Sequence, residues 1–288
     1  MNNPIILHVN YVEQGQSIPQ MCQRAVAWGY DGIEFRRKRS GVEETMAEYL
    51  DAIARSAEES GLRHVLFGGP GPNLMAADGD RREAEIDECV AFYRAAAARF
   101  SLTVCNTMTG TLLAPGAQYH EYDRNGSNAA TEDQWQWAVE GFQILGDLAA
   151  ELGFVFAFET HNCYLHDLPE PTRRLVDRIG RDSVGINFDY GNIIGHPLKP
   201  DLDEAIRVCQ GKIYYLHLKN SFTVPGAKCQ NSIPCGLGDG VINNRGYLRR
   251  MKALNFSGPV CLEAPRQGDR EHFAQQDLSY VQRLMAEI

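Results

Sequence analysis

The chain has 288 residues, 44% of them hydrophobic, and a formal net charge of −9. A chain of this size buries a sizeable core, and the acidic balance disfavours general binding to nucleic acid or to anionic membranes. No stretch approaches the roughly 18 apolar residues that a membrane span needs.

Short β-rich runs alternate with helical patterns from one end to the other. Ile5–Asn10 is the first expected strand, followed by a helix over Ser17–Trp28. Asp31–Phe35 is the second strand, and Glu43–Ser60 a long amphipathic helix. Arg63–Phe67 is the third strand; after it, Ile86, Val90, Tyr93, Ala97 and Phe100 recur at helical spacing. Thr103–Asn106 is the fourth strand, and Trp135, Val139, Phe142, Leu145, Leu148 and Leu152 mark the next helix face. Gly153–Phe158, Val184–Phe188, Ile213–Leu216 and Val260–Leu262 complete the strands, and a last helix covers His272–Ala286. Gly29, Gly61, Gly153 and Gly180 fall where helices should stop.

Eight strand–helix units in one chain of this length predict a single α/β domain, a (β/α)8 TIM barrel spanning 1–288. A doubly wound open sheet has the same periodicity, but its dinucleotide-binding form lacks a GxGxxG after the first strand. Three connections after strand ends are longer than the fold needs: Gly68–Asp80, Thr107–Ala130 and Asn220–Asn243. In a barrel they lie on the active face, where long loops serve as lids or substrate walls. Met1-Asn-Asn-Pro-Ile-Ile-Leu-His does not read as a secretory signal, and the eight cysteines form no CxxC pair. Reduced, structural thiols in a cytoplasmic protein are the expectation.

Four of the strands lead into a metal-binding residue type. Glu159 follows the fifth, Asp189 the sixth, His217 the seventh and Glu263 the eighth. Parallel strands in one barrel deliver all four to the same rim. Three carboxylates and an imidazole suit an octahedral ion of the Mn²⁺ type with two positions open; Zn²⁺ is second choice, since no thiolate joins the set.

The strings Gly29-Tyr-Asp-Gly-Ile-Glu-Phe35, Phe158-Glu-Thr-His161, Asn187-Phe-Asp-Tyr-Gly-Asn192, Leu216-His-Leu-Lys-Asn220, Gly236-Leu-Gly-Asp-Gly240 and Cys261-Leu-Glu-Ala-Pro265 span nearly the whole chain. Together they resemble the xylose-isomerase-like barrel superfamily, and within it the sugar phosphate isomerase/epimerase branch, whose relatives include the AP endonucleases. The resemblance implies one divalent ion (manganese, magnesium or cobalt) on Glu159, Asp189, His217 and Glu263. It also implies a small carbohydrate substrate and a homo-oligomer. Glu159 and Glu263 would be the catalytic pair, one removing a proton beside a carbonyl and the other returning it on the opposite face. A Lewis acid stabilises the enediolate formed between those steps. An enediolate with a leaving group on the next carbon expels it instead, so a lyase or dehydratase acting on a keto-sugar or inosose is the alternative.

Further residues are candidates for substrate contact. His161 resembles the histidine of the family's Glu-x-His string. Asn192 stands where ketose epimerases often carry a histidine, which weakens that particular assignment. Lys219 follows His217 by two residues, while His8 and Asn106 end strands one and four. Glu34 resembles the family's Gly-Ile-Glu glutamate, in the pocket or just behind it. Arg36 opens the run Arg36-Arg-Lys-Arg39, where a guanidinium could anchor an anionic group. The nuclease reading fails on ligands: strands three and four end in Phe67-Gly-Gly and Cys105-Asn106, without the histidines of a multi-zinc cluster.

Overall fold

The computed structural model describes residues 1–39, 41–119, 121–223 and 232–288. Eight parallel strands form one sheet: β1 (Ile5–His8), β2 (Gly32–Arg36), β3 (His64–Gly68), β4 (Val104–Thr107), β5 (Val155–Glu159), β6 (Val184–Phe188), β7 (Ile213–Leu218) and β8 (Val260–Leu262). The ladder runs β3-β2-β1-β8-β7-β6-β5-β4, and β3 lies beside β4, so the sheet curls into a nearly closed (β/α)8 barrel. The open-sheet alternative is thereby excluded.

Among the described residues, eight α-helices cover the outside. They are α1 (Ile18–Trp28), α2 (Met46–Ser60), α3 (Gly79–Ala97), α4 (Glu132–Leu152), α5 (Pro169–Ile179), α6 (Leu202–Cys209), α7 (Asn244–Ala253) and α8 (Arg270–Glu287). Reciprocal caps start three of them, pairing Ser17 with Gln20, Thr45 with Glu48 and Thr131 with Gln134. The Thr45 cap explains why α2 begins at Met46 rather than at Glu43. All four predicted stop glycines are C-caps. Gly61, with φ of 76°, takes a left-handed turn that a side chain disfavours. Other expected boundaries move as well. Helix α3 stops at Ala97, leaving Phe100 to pack its ring 5.6 Å from Phe67. Strand β1 stops at His8, whose Nδ1 accepts the Asn10 N–H and starts a single 3-10 turn.

Barrel interior and site are linked by the two-residue period of a strand. Ile6, Leu66, Val104, Ala157, Tyr215 and Cys261 form a buried cluster of their own, separate from the larger core between sheet and helices. Two positions further along the chain from five of them stand His8, Asn106, Glu159, His217 and, just past the end of β8, Glu263. The apolar plug thus becomes a polar floor at the C-terminal rim within one pleat.

The long connections are partly built. Ser221–Thr223 and Ser232–Pro234 pair as an antiparallel ribbon after β7, while 224–231 in that connection lie outside the described residues. In the connection after β4, Leu113 bridges Asn125 and the Leu112 N–H donates to the Cys163 carbonyl at 2.7 Å; position 120 there is also outside the described residues. Seven cysteines are described, all buried and free; Cys229 lies outside the described residues. Among the described residues no helix is long and apolar enough to cross a membrane.

Candidate metal centre and catalytic site

Glu159 is the last residue of β5, Asp189 follows β6 and Glu263 follows β8. His217 is not beyond its strand, as expected, but next to last within β7, because the ladder to β8 continues through Leu218. One ligand atom from each of Glu159, Asp189, His217 and Glu263 lies within 4.8 Å of every other. All four side chains are buried.

Lys219, two residues beyond His217, extends its ammonium into this group. Its Nζ is 2.9 Å from Asp189 Oδ2, 3.2 Å from Glu263 Oε2 and 3.4 Å from Glu159 Oε1, and it donates to Asn192 Oδ1 at 2.8 Å. One ammonium does not balance three carboxylates. Burial and the other two carboxylates lift Asp189 to about 6 against the pull of Lys219. Glu159, also penalised by burial, is held at about 2 by Lys219 and His217. Desolvation works against charge on Lys219 and His217, yet the surrounding carboxylates keep both raised. The pocket is short of positive charge.

The donor atoms fit a divalent ion. Asp189 Oδ2, Glu263 Oε2 and His217 Nδ1 are buried and have no well-aligned hydrogen-bond partner. On the far side of the imidazole, Nε2 lies 2.8 Å from Glu34 Oε2. In the neutral ring that ligates a metal, a proton held on Nε2 by Glu34 would leave the Nδ1 lone pair on the carboxylate side, the arrangement by which histidine ligands are usually oriented. Hard oxygens plus one imidazole suit Mg²⁺ or Mn²⁺ chemistry.

The predicted companions surround this core. Asn106 Nδ2 donates to Glu159 Oε2 at 2.7 Å, and Asn192 Nδ2 donates to Glu159 Oε1 at 2.6 Å. His8 Nε2 stands 3.6 Å from Glu34 Oε1 and 3.7 Å from Glu263 Oε1. His161 lies at the rim, its Nδ1 2.9 Å from the Asn162 carbonyl and its ring edge-on to Tyr164. Arg36 bonds Glu13 at 2.7–3.0 Å and the side-chain oxygen of Asn10, so the anion it holds in this structure is the protein's own.

Sequence reasoning missed three participants. Asn10 donates to Glu263 Oε1 at 2.8 Å, Thr160 Oγ1 accepts the Asp189 N–H at 2.8 Å, and the Tyr215 hydroxyl donates to Glu34 Oε2 at 2.6 Å. Only Tyr215 had a readable signal, since it stands two residues before His217 and faces the same interior.

Comparisons with known proteins agree with this architecture. A family model described as xylose isomerase-like TIM barrel matches residues 22–284. An inosose dehydratase from Geobacillus thermodenitrificans is 25% identical over 147 residues, 46% of this chain, and the match spans about half (48%) of that relative's length. A xylose isomerase-like TIM barrel protein from Mycobacterium smegmatis, solved in complex with magnesium, superposes with a TM-score of 0.77 at 16% identity, covering 99% of this chain and 97% of that one. The 3-keto-D-glucoside 4-epimerase of E. coli superposes with a TM-score of 0.72 at 15% identity, covering 98% and 100%.

Proposed function

The chain belongs to the xylose isomerase-like TIM barrel family, and from that premise we propose that it is a divalent-metal-dependent isomerase or epimerase of a keto-sugar. The observation that carries this reading is the buried group of Glu159, Asp189, His217 and Glu263, with three donor atoms lacking an aligned hydrogen bond and too little positive charge for its carboxylates. Those four residues hold the ion, Mn²⁺ by the ligand set and Mg²⁺ or Co²⁺ as close substitutes. Bound there, it supplies Lewis-acid polarisation of a carbonyl oxygen.

The remaining chemistry belongs to the chain. Glu159 and Glu263 flank the Lys219 ammonium; the amides of Asn106 and Asn192 hold the two oxygens of Glu159, and that of Asn10 holds one oxygen of Glu263. One carboxylate takes the proton from the carbon beside the carbonyl, and the C–H electron pair passes into the new C=C bond of an enediolate. The other carboxylate, arriving protonated, returns a proton to the opposite face and inverts the centre. Lys219 and Asn192 bind substrate oxygens, and burial keeps bulk water from quenching the carbanion. His161 and His8 complete the proposed substrate contacts, and Arg36 joins them where a substrate anion displaces Glu13.

The match to an inosose dehydratase favours a second reading, in which the same abstraction is followed by loss of hydroxide from the next carbon. Proton NMR in D₂O separates the two. The Mg²⁺-reconstituted protein is incubated with a panel of ketoses and keto-inositols. Deuterium appearing beside a carbonyl, and absent with Glu159→Gln and Glu263→Gln, supports abstraction. An inverted centre then supports epimerisation and an enone-type product supports dehydration. No exchange with any compound by protein shown to bind the ion defeats both readings.

A further inference from the structure

Behind the donor set lies a fourth buried acid that binds nothing in the proposed reaction. Glu34, on β2, is 1% exposed and touches three separate parts of the site. Its Oε2 accepts the Tyr215 hydroxyl at 2.6 Å and faces His217 Nε2 at 2.8 Å. Its Oε1 accepts Asn106 Nδ2 at 3.2 Å and lies 3.6 Å from His8 Nε2. Asn106 also donates to Glu159, and His8 also faces Glu263. One carboxylate therefore reaches the imidazole ligand directly and each catalytic glutamate through a single intermediary.

The fold makes room for it. At Gly68, the last residue of β3, a methyl group would overlap Glu34 Oε1. That absent side chain is the notch in which the carboxylate sits. The energetic argument is one of desolvation. A buried carboxylate is stable only when its lone pairs are used, and here they are used by the groups whose orientation the site requires.

We propose that Glu34 is the positioning residue of this centre, setting His217 through Nε2 and both glutamates through Asn106 and His8, with Gly68 as its seat. The proposal rests on the metal-centre reading. Its role is to present Nδ1 of His217 to the ion and to keep the imidazole from rotating.

The test uses the whole chain and two readouts, neither of them turnover. Isothermal titration with Mg²⁺ and Mn²⁺ gives the affinity, and ¹H–¹⁵N spectra of the metal-free protein give the His217 Nε2–H signal. In the wild type this proton is hydrogen-bonded to Glu34 and slow to exchange. Glu34→Gln is expected to lose that signature and to bind the ions about 10- to 100-fold more weakly. Gly68→Ala keeps the charge but displaces it, and is expected to act in the same direction more mildly. Tyr215→Phe does likewise and carries the test with Gly68→Ala if Glu34→Gln does not fold. Wild-type affinity and an unchanged His217 signal in folded Glu34→Gln, or in both milder variants, overturn the proposal. A wild type that binds neither ion defeats the metal-centre reading instead, and the His217 signal still judges Glu34.

Discussion

Two buried acidic clusters lie at the same end of the barrel, and they are built differently. Around Asp277 of α8 every oxygen is used: Oδ1 accepts the Leu237 N–H at 3.0 Å, and Oδ2 accepts the Tyr11 hydroxyl at 2.7 Å and Arg266 Nη1 at 2.6 Å. One carboxylate meets one guanidinium, and Tyr11 passes the network on by accepting the Ala264 N–H at 3.0 Å. The network ties the segments after β1, β7 and β8 to α8. Around Asp189, by contrast, three carboxylates share one ammonium and three donor atoms lack an aligned partner. Balanced, saturated polarity marks a structural strut. Unbalanced, open polarity marks a place where something else binds.

The contrast is sharpest in activity. Glu159→Gln or Glu263→Gln is expected to slow deuterium exchange by about 10²–10⁴-fold, the usual contribution of a positioned acid or base. Asp277→Asn retains its acceptor for Leu237 and is expected to preserve exchange in whatever fraction remains folded. Equal losses in both clusters, measured per folded molecule, would erase the distinction.

Stability comes next. Asp277→Ala leaves the Arg266 guanidinium, 12% exposed, without its carboxylate. Breaking such a buried pair costs about 3–5 kcal/mol, read from urea denaturation. Adding Mg²⁺ or Mn²⁺ at about a hundredfold excess over Kd is expected to stabilise the wild type by about 2.7 kcal/mol. Asp277→Asn should gain as much, and Asp189→Ala nothing. Equal gains in all three would place the ion elsewhere.

The smallest effect carries the opposite sign. Asp189→Asn in the metal-free protein removes one of the crowded carboxylates while keeping an acceptor for the Asn192 N–H. It is expected to raise stability by about 1 kcal/mol, as relief of strain at a functional site commonly does. A loss comparable to that of Asp277→Ala would mean that the Asp189 cluster is a strut after all.

The sequence by itself determined the barrel, the order of its elements and the strands that deliver Glu159, Asp189, His217 and Glu263 to one rim. Apolar runs, capping residues and stop glycines act within a few residues of one another, so their meaning is local and survives on the page. Tertiary structure alone decided what each charge meets. Arg36 stood out as one of four successive basic residues, but Glu13 and Asn10, which occupy its guanidinium, lie 23 and 26 residues earlier, after the neighbouring strand β1. Lys219 became the counter-charge of three strands rather than one, and Glu34 found Tyr215 and His217 more than 180 residues along the chain. Asp277, unremarkable on an amphipathic helix, became the strut behind Glu263. Hydrophobic periodicity is written along the chain, whereas a buried charge is defined by its neighbours in space, and closure of the barrel is what supplies them.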